Sequence, residues 1–104
     1  MEANMSGFNI VHYKIKPGME ADFLKAHGWM SPLPPGFKRG NLIKTGDHQY
    51  CLVGEWASSQ EARNANPQMV GMLDRFREYL IDQGPGIGVT NVFSGDSIKE
   101  ISSD

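Results

Sequence analysis

The residues best suited to bind or transform a ligand lie at the end of one predicted strand. Residues 50–56 alternate in polarity, end in Trp56 and run directly into a helix-start signature formed by Ser58 and Glu61. A strand that ends in tryptophan and turns into a helix frames a pocket. Gly54, two residues before the indole, is expected to leave room for a small ligand there.

Further candidate residues come from the first strand and the two helices. If the strands alternate as predicted, Asn9 and Tyr13 face the same side of the sheet as Trp56, and His27 approaches from the first helix. Such a mostly apolar pocket with a few polar tips is the usual form of a small-molecule site. The predicted lining of the pocket is Val11, Phe23, Leu52, Gly54, Leu73 and Phe76.

Each polar candidate also has a structural interpretation. Trp56 is more often a core anchor than a catalytic group, because tryptophan brings ~150–250 Å² of surface that can be buried. Asn9 would then satisfy the backbone at a strand end, and His27 would be a partly buried helix residue with a hydrogen-bonded ring. Tyr13 fits the core and the pocket wall equally well.

Strong catalytic signatures are missing from the sequence. The histidines at positions 12, 27 and 48 are not at metal-ligand spacings, and neither a Gly-x-Ser-x-Gly elbow nor a Walker loop occurs. The glycine-rich segment 84–88 follows a predicted helix instead of opening one, so it is interpreted as a helix stop. No metal ion or other cofactor is expected.

Composition limits the class of protein and its partners. The chain has 104 residues, 39% hydrophobic and 21% charged, which predicts one globular domain over residues 1–104. A net charge of −2 gives no field that would attract nucleic acid or an anionic membrane, and no apolar run approaches the ~20 residues of a membrane span. The single Cys51 and the lack of a secretory signal favour the cytoplasm.

The hydrophobic pattern predicts an α+β fold of order β-α-β-β-α-β, the ferredoxin-like arrangement of an antiparallel sheet with both helices on one face. The second helix is expected to break and restart at Asn66–Pro67, and residues 99–104 form a polar tail. The predicted elements are strands 7–15, 37–45, 48–56 and 89–98 and helices 19–28 and 58–84.

The uncovered face of that sheet predicts self-association. The face would carry the apolar side chains of Phe8, Ile10, Cys51 and Val53. Chains that expose so much apolar sheet tend to associate. A twofold dimer whose two sheets close face to face into a barrel would cover this surface.

Three short motifs carry a resemblance to a known family. Residues 13–20, with Lys16-Pro17-Gly18, the Pro35-Gly36-Phe37 segment and Gly54-Glu55-Trp56 resemble the antibiotic-biosynthesis-monooxygenase-like family of dimeric α+β barrels. The resemblance implies a homodimer formed through the sheet face. It also implies a cofactor-independent monooxygenase that uses O₂ on a small aromatic or quinol-type substrate.

The resemblance also implies roles for particular residues. Trp56 matches the pocket tryptophan of the family and would hold the aromatic substrate or stabilise oxygen. Asn9 or Tyr13 would bind the substrate oxygen, and His27 is the nearest proton acceptor. The bound phenol would lose a proton, and its electron-rich anion would reduce oxygen directly.

Two other functions stay open. Haem-degrading relatives use a strand-1 asparagine and a second-helix histidine, and these positions fall on Val11 and near Leu73, so haem degradation is less expected. The lack of a convincing acid–base pair leaves a non-catalytic ligand-binding or structural barrel as the main alternative.

Overall fold

The computed structural model describes residues 6–27 and 34–101. The predicted end of the first helix at Gly28, Pro32 and Leu33 of the proline-rich loop, and the last residues of the polar tail lie outside these ranges. The elements are strands β1 (Gly7–Lys14), β2 (Phe37–Gly46), β3 (Gln49–Trp56) and β4 (Asn91–Asp96), helices α1 (Glu20–Ala26), α2 (Ser59–Asn64) and α3 (Asn66–Leu73), and a 3-10 turn (Arg77–Tyr79). None of the described helices has the length and apolar content needed to cross a bilayer.

The sheet confirms the predicted α+β class and the ferredoxin-like topology. Its strand order is β2-β3-β1-β4, and all neighbouring strands are antiparallel. Asn9 pairs with Gly54 on β3 and with Ser94 on β4, and Val11 pairs with Leu52. Because strand side chains alternate, these residues share one side of the sheet, which we call the inner face.

Helices and aromatic rings cover one end of the inner face. Tyr13 on β1 lies edge-on to Phe23 of α1, with ring centroids 5.4 Å apart, and edge-on to Phe76, at 5.6 Å. Both phenylalanines are completely buried. Edge-to-face aromatic pairs of this kind stabilise beyond the area that they bury, so this cluster fixes the helical layer against β1.

The second helical segment is shorter than predicted. Its expected break is confirmed, because α2 ends at Asn64 and α3 restarts with Pro67 in its first turn. The prediction that the helix continues to residue 84 is wrong, since α3 ends at Leu73. Residues 79–81 pair with the end of β1 instead of continuing the helix. Lys16 N–H donates to Tyr79 O, and Ile81 N–H donates to Lys14 O, each over 2.8 Å.

The same pairing explains why an apolar side chain stands at position 80. Leu80 is extended, forms an isolated β-bridge with Ile15 and is buried. The segment 84–88 therefore follows an extended stretch and not a helix, which corrects its interpretation as a helix stop. Gly84, Gly86 and Gly88 all have positive φ, so glycine serves the loop itself.

Candidate functional site

A cleft of about 190 Å³ lies between the inner face of the sheet and helices α2 and α3, and it is open to solvent on one side. The strands provide its floor and the helices its wall. Of the predicted site residues, the structure brings five together here: Asn9, Val11, Tyr13, Leu73 and Phe76. The other described lining residues are Ala62, Arg63, Asn66, Met69, Val70, Met72, Thr90, Val92 and Ser94.

The start of α2 is anchored to the sheet, and this anchor places the helix over the cleft. Ser58 caps α2 by accepting from Glu61 N–H over 3.3 Å, as the capping-box motif predicts. A Cβ on Gly7 would overlap the backbone of Ser59, so only glycine permits this approach of β1 to the helix. Ser59 N–H also donates to Asp96 Oδ1 over 3.0 Å, and hydrogen bonds from Ser59 hold the pKa of Asp96 below its usual value.

The cleft has one polar end and one aromatic end. Asn9 and Ser94 are paired across β1 and β4, close to the anchored start of α2. Arg63 belongs to this polar end, because its guanidinium donates to Ser59 Oγ over 3.3 Å. Tyr13, farther along β1, and Phe76, which follows α3, form the aromatic end.

Trp56 does not line the cleft, but it forms a hydrogen bond with Asn9, which does. The indole is completely buried, and its ring centroid lies 5.1 Å from that of Phe37 in an edge-to-face contact. Its Nε1–H donates to Oδ1 of Asn9 over 2.7 Å. Because an indole nitrogen can only donate, this bond directs the amide oxygen of Asn9 to Trp56 and leaves the amide NH₂ as the group available to the cleft.

Gly54 makes room for this hydrogen bond and not for a ligand. A Cβ at position 54 would overlap Oδ1 of Asn9 and lie 3.1 Å from Nε1 of Trp56. The expectation that the missing side chain leaves space for a ligand is therefore wrong. Leu52 and Phe23 are also absent from the described cleft lining, since both pack into the core.

His27 lies behind the aromatic end, outside the described lining. Its Nδ1 donates to the backbone oxygen of Phe23 over 3.1 Å, and Nε2 has no hydrogen-bond partner among the described residues. The imidazole lies against Phe76, with ring centroids 4.2 Å apart. Burial lowers the pKa of His27, so the ring stays neutral near pH 7.

Tyr13 is the phenol that the structure brings to the cleft. Burial is the main reason that the pKa of Tyr13 lies far above its ordinary value, so the group remains a protonated hydrogen-bond donor. Arg63 is the charged residue among the described lining residues, which include no carboxylate. Within the described ranges, no cluster of three or more His, Cys, Asp or Glu side chains forms a metal site.

The helical wall was the part that sequence reasoning missed. Ala62, Asn66, Met69 and Leu73 recur at spacings of three and four residues, which place them on one side of a helical segment. Leu73 was predicted to line a pocket, so extending its stripe backwards would have found the other three. Arg63 gave no such signal, because a charged helix residue is normally solvated.

Comparison with known proteins finds the same fold at low sequence identity. No protein-family model matches the chain, and no curated protein matches it in sequence. The ActVA-Orf6 monooxygenase of Streptomyces coelicolor, solved with nanaomycin D, is 15% identical with a TM-score of 0.72, and the match covers 99% of this chain and 96% of that one. SnoaB of Streptomyces nogalater, a cofactor-independent oxygenase solved as a mutant, is 15% identical with a TM-score of 0.65, covering 97% and 100%.

A third match is described as dimeric. This ferredoxin-like protein from an uncultured marine organism is 14% identical with a TM-score of 0.70, and the match covers 96% of this chain and 94% of that one. Proteins of unknown function share the fold as well. The chain therefore has the ferredoxin-like α+β fold of these structures, which is also the fold of a putative antibiotic biosynthesis monooxygenase from Nitrosomonas europaea, 13% identical with a TM-score of 0.71 over 94% of this chain and 95% of that one.

Proposed function

We propose that the protein is a cofactor-independent monooxygenase that oxidises a small aromatic or quinol-type substrate with O₂. The observation that carries this proposal is the ring-sized cleft lined by Asn9, whose amide oxygen accepts from Trp56 so that its NH₂ is left to donate. The same fold in ActVA-Orf6, a monooxygenase, and in SnoaB, a cofactor-independent oxygenase, supports it. The proposed compartment is the cytoplasm, where the single Cys51 would stay reduced.

The size of the cleft limits the substrate. A cavity of ~150 Å³ is known to bind benzene, and drug-sized ligands occupy pockets of ~300–1,000 Å³. At about 190 Å³ the cleft holds one substituted ring. A second ring would extend into solvent through the open side.

The donors of the cleft suit a phenolate. In the proposed complex the Asn9 amide donates to the substrate oxygen, and Arg63 adds a positive charge nearby. Together they favour the anion over the neutral phenol, and the proton leaves to water through the open side. His27 does not contact the cleft directly, and Trp56 acts by holding Asn9.

The electrons for oxygen reduction come from the substrate. The phenolate transfers electrons to O₂ and forms a carbon–oxygen bond to it, and cleavage of the O–O bond then releases water. For a hydroquinone, one oxygen atom enters the ring, the other becomes water, and the product is a hydroxyquinone, so the four electrons that O₂ accepts all come from the substrate. The protein orients the reactants.

The proposed assembly is a homodimer formed through the outer face, the side of the sheet opposite the cleft. Val53, Ile10 and Phe93 are side by side across β3, β1 and β4, and they form an apolar row there. Ile10 and Phe93 are exposed. In the proposed dimer a second copy of the chain covers this row. The ferredoxin-like protein of similar structure is likewise described as dimeric.

Oxygen uptake across a panel of hydroquinones tests the proposed activity. We expect wild-type protein to consume oxygen above buffer and Asn9→Ala to lose roughly tenfold in rate, because one hydrogen-bond donor to the anion is removed. Gln68→Ala is the matched control, since Gln68 is an exposed amide on α3 outside the described lining. Equal rates for both variants would contradict the role of Asn9.

The alternative is a barrel that binds a small ligand without turnover. It is favoured by the composition of the cleft, because the described lining residues include no carboxylate and no histidine. Saturable binding of a hydroquinone, measured by calorimetry without oxygen, together with background oxygen uptake in air would support this alternative over the oxygenase.

A further inference from the structure

We propose that the cleft selects a monocyclic aromatic acid, with its ring against Tyr13 and Phe76 and its carboxylate at Arg63. This inference rests on the proposed function, because it names the substrate class of the same cleft. The cleft is polar at one end and aromatic at the other, as the pairing of Asn9 with Ser94 and the packing of Tyr13 on Phe76 show. A ligand that matches it is therefore apolar at one end and polar at the other.

The groups at the polar end favour an anion over a cation or a neutral group. Arg63 is positively charged, and the groups beside it are the amides of Asn9 and Asn66 and the hydroxyl of Ser94. All of these can donate hydrogen bonds, and the described lining residues provide no carboxylate to compete with the ligand. A planar guanidinium recognises a carboxylate by two parallel hydrogen bonds.

The guanidinium of Arg63 is held in place by neutral groups. Its Nη1 donates to Ser59 Oγ over 3.3 Å, and its Nη2 donates to Gln60 Oε1 over 3.0 Å. No carboxylate oxygen of the described residues forms an ion pair with it. Its charge does contribute to the low pKa of Asp96, but Oδ1 of Asp96 already accepts from the Ser59 backbone N–H.

Size and charge together define the ligand. A volume of about 190 Å³ holds one ring and its substituent, whereas engineered cavities of ~150 Å³ hold benzene alone. A hydroxylated benzoate satisfies both ends, with its ring against the aromatic pair and its carboxylate on Arg63. A simple hydroquinone lacks the carboxylate that would pair with Arg63.

Calorimetric titration without oxygen tests this selectivity. The probes are 2,5-dihydroxybenzoate and hydroquinone, which differ by one carboxylate. We expect wild-type protein to bind the acid about tenfold more tightly, since a charge-assisted pair replaces a water contact. Arg63→Gln is expected to bind both probes equally. Arg75→Gln removes the same charge at an exposed residue outside the described lining, so it is expected to behave as wild type.

The outcome separates this inference from the proposed activity. Equal binding of the two probes by wild type, a preference that survives Arg63→Gln, or no binding of either probe at millimolar concentration would overturn it. A preference for the acid that depends on Arg63, combined with background oxygen uptake, would refute the oxygenase and leave the anion site. Oxygen uptake with equal binding of the probes would refute the anion site alone.

Discussion

Replacing Trp56 with alanine is expected to lower the free energy of unfolding by about 3–5 kcal/mol, the usual cost of removing a buried aromatic side chain. The indole is 0% exposed and packs edge-on against Phe37. Its removal also leaves Oδ1 of Asn9 without its hydrogen-bond donor. Chemical denaturation followed by circular dichroism measures this change.

Two further variants separate the contributions of the indole. Trp56→Phe keeps an aromatic ring and loses the N–H donor, so a smaller cost of about 1–3 kcal/mol is expected. Ile98→Ala changes an apolar residue that is 91% exposed, and its effect is expected to stay within about 0.5 kcal/mol. A loss below about 1 kcal/mol for Trp56→Ala would contradict the packing of Trp56 described above.

Replacing Phe93 with glutamate is expected to raise the dimer dissociation constant at least about 100-fold, because in a twofold interface every substitution occurs twice and the dimer would have to bury two uncompensated carboxylates. Phe93 is 59% exposed in the single chain and lies next to Ile10 on the outer face. Sedimentation velocity over a dilution series measures the shift from dimer to monomer.

The neighbouring residue on the same strand provides the control. Val92 is 54% exposed, but its pairing with Val11 places it on the inner face. Val92→Glu therefore introduces the same charge on β4 without touching the proposed interface. Wild-type protein that sediments as a monomer at all concentrations would contradict the dimer, as would a Phe93→Glu variant that dimerises like wild type.

Sequence reasoning predicted the faces of the strands because strand periodicity is strictly two. The alternation of residues 9, 11 and 13 on β1 puts them on one face, and pairing with Gly54 and Leu52 confirms their predicted neighbours. The helix restart at Pro67 was equally accessible, because proline lacks the N–H that the helix interior needs. Both features depend on local chemistry.

Features that depend on contacts distant in sequence were harder to predict. The end of α3 at Leu73 follows from backbone pairing of residues 79–81 with the end of β1, which local helix propensity cannot reveal. The space beside Gly54 is filled by the side chain of Asn9, which comes from another strand. The glycine therefore predicted room for a ligand where a side chain already lies. Arg63 reaches the cleft because the start of α2 is anchored to Asp96.

Isotope labelling with ¹⁸O₂ tests the central claim most directly. A hydroquinone that supports oxygen uptake is incubated with the protein under ¹⁸O₂, and the quinone product is examined by mass spectrometry with rapid sampling. One ¹⁸O atom in the product is predicted. The label is expected to be lost in Val92→Trp, which fills the cleft, and kept in Ile98→Trp, which adds the same ring outside the described lining. An unlabelled product, or labelling that Val92→Trp leaves unchanged, would contradict oxygenation in this cleft.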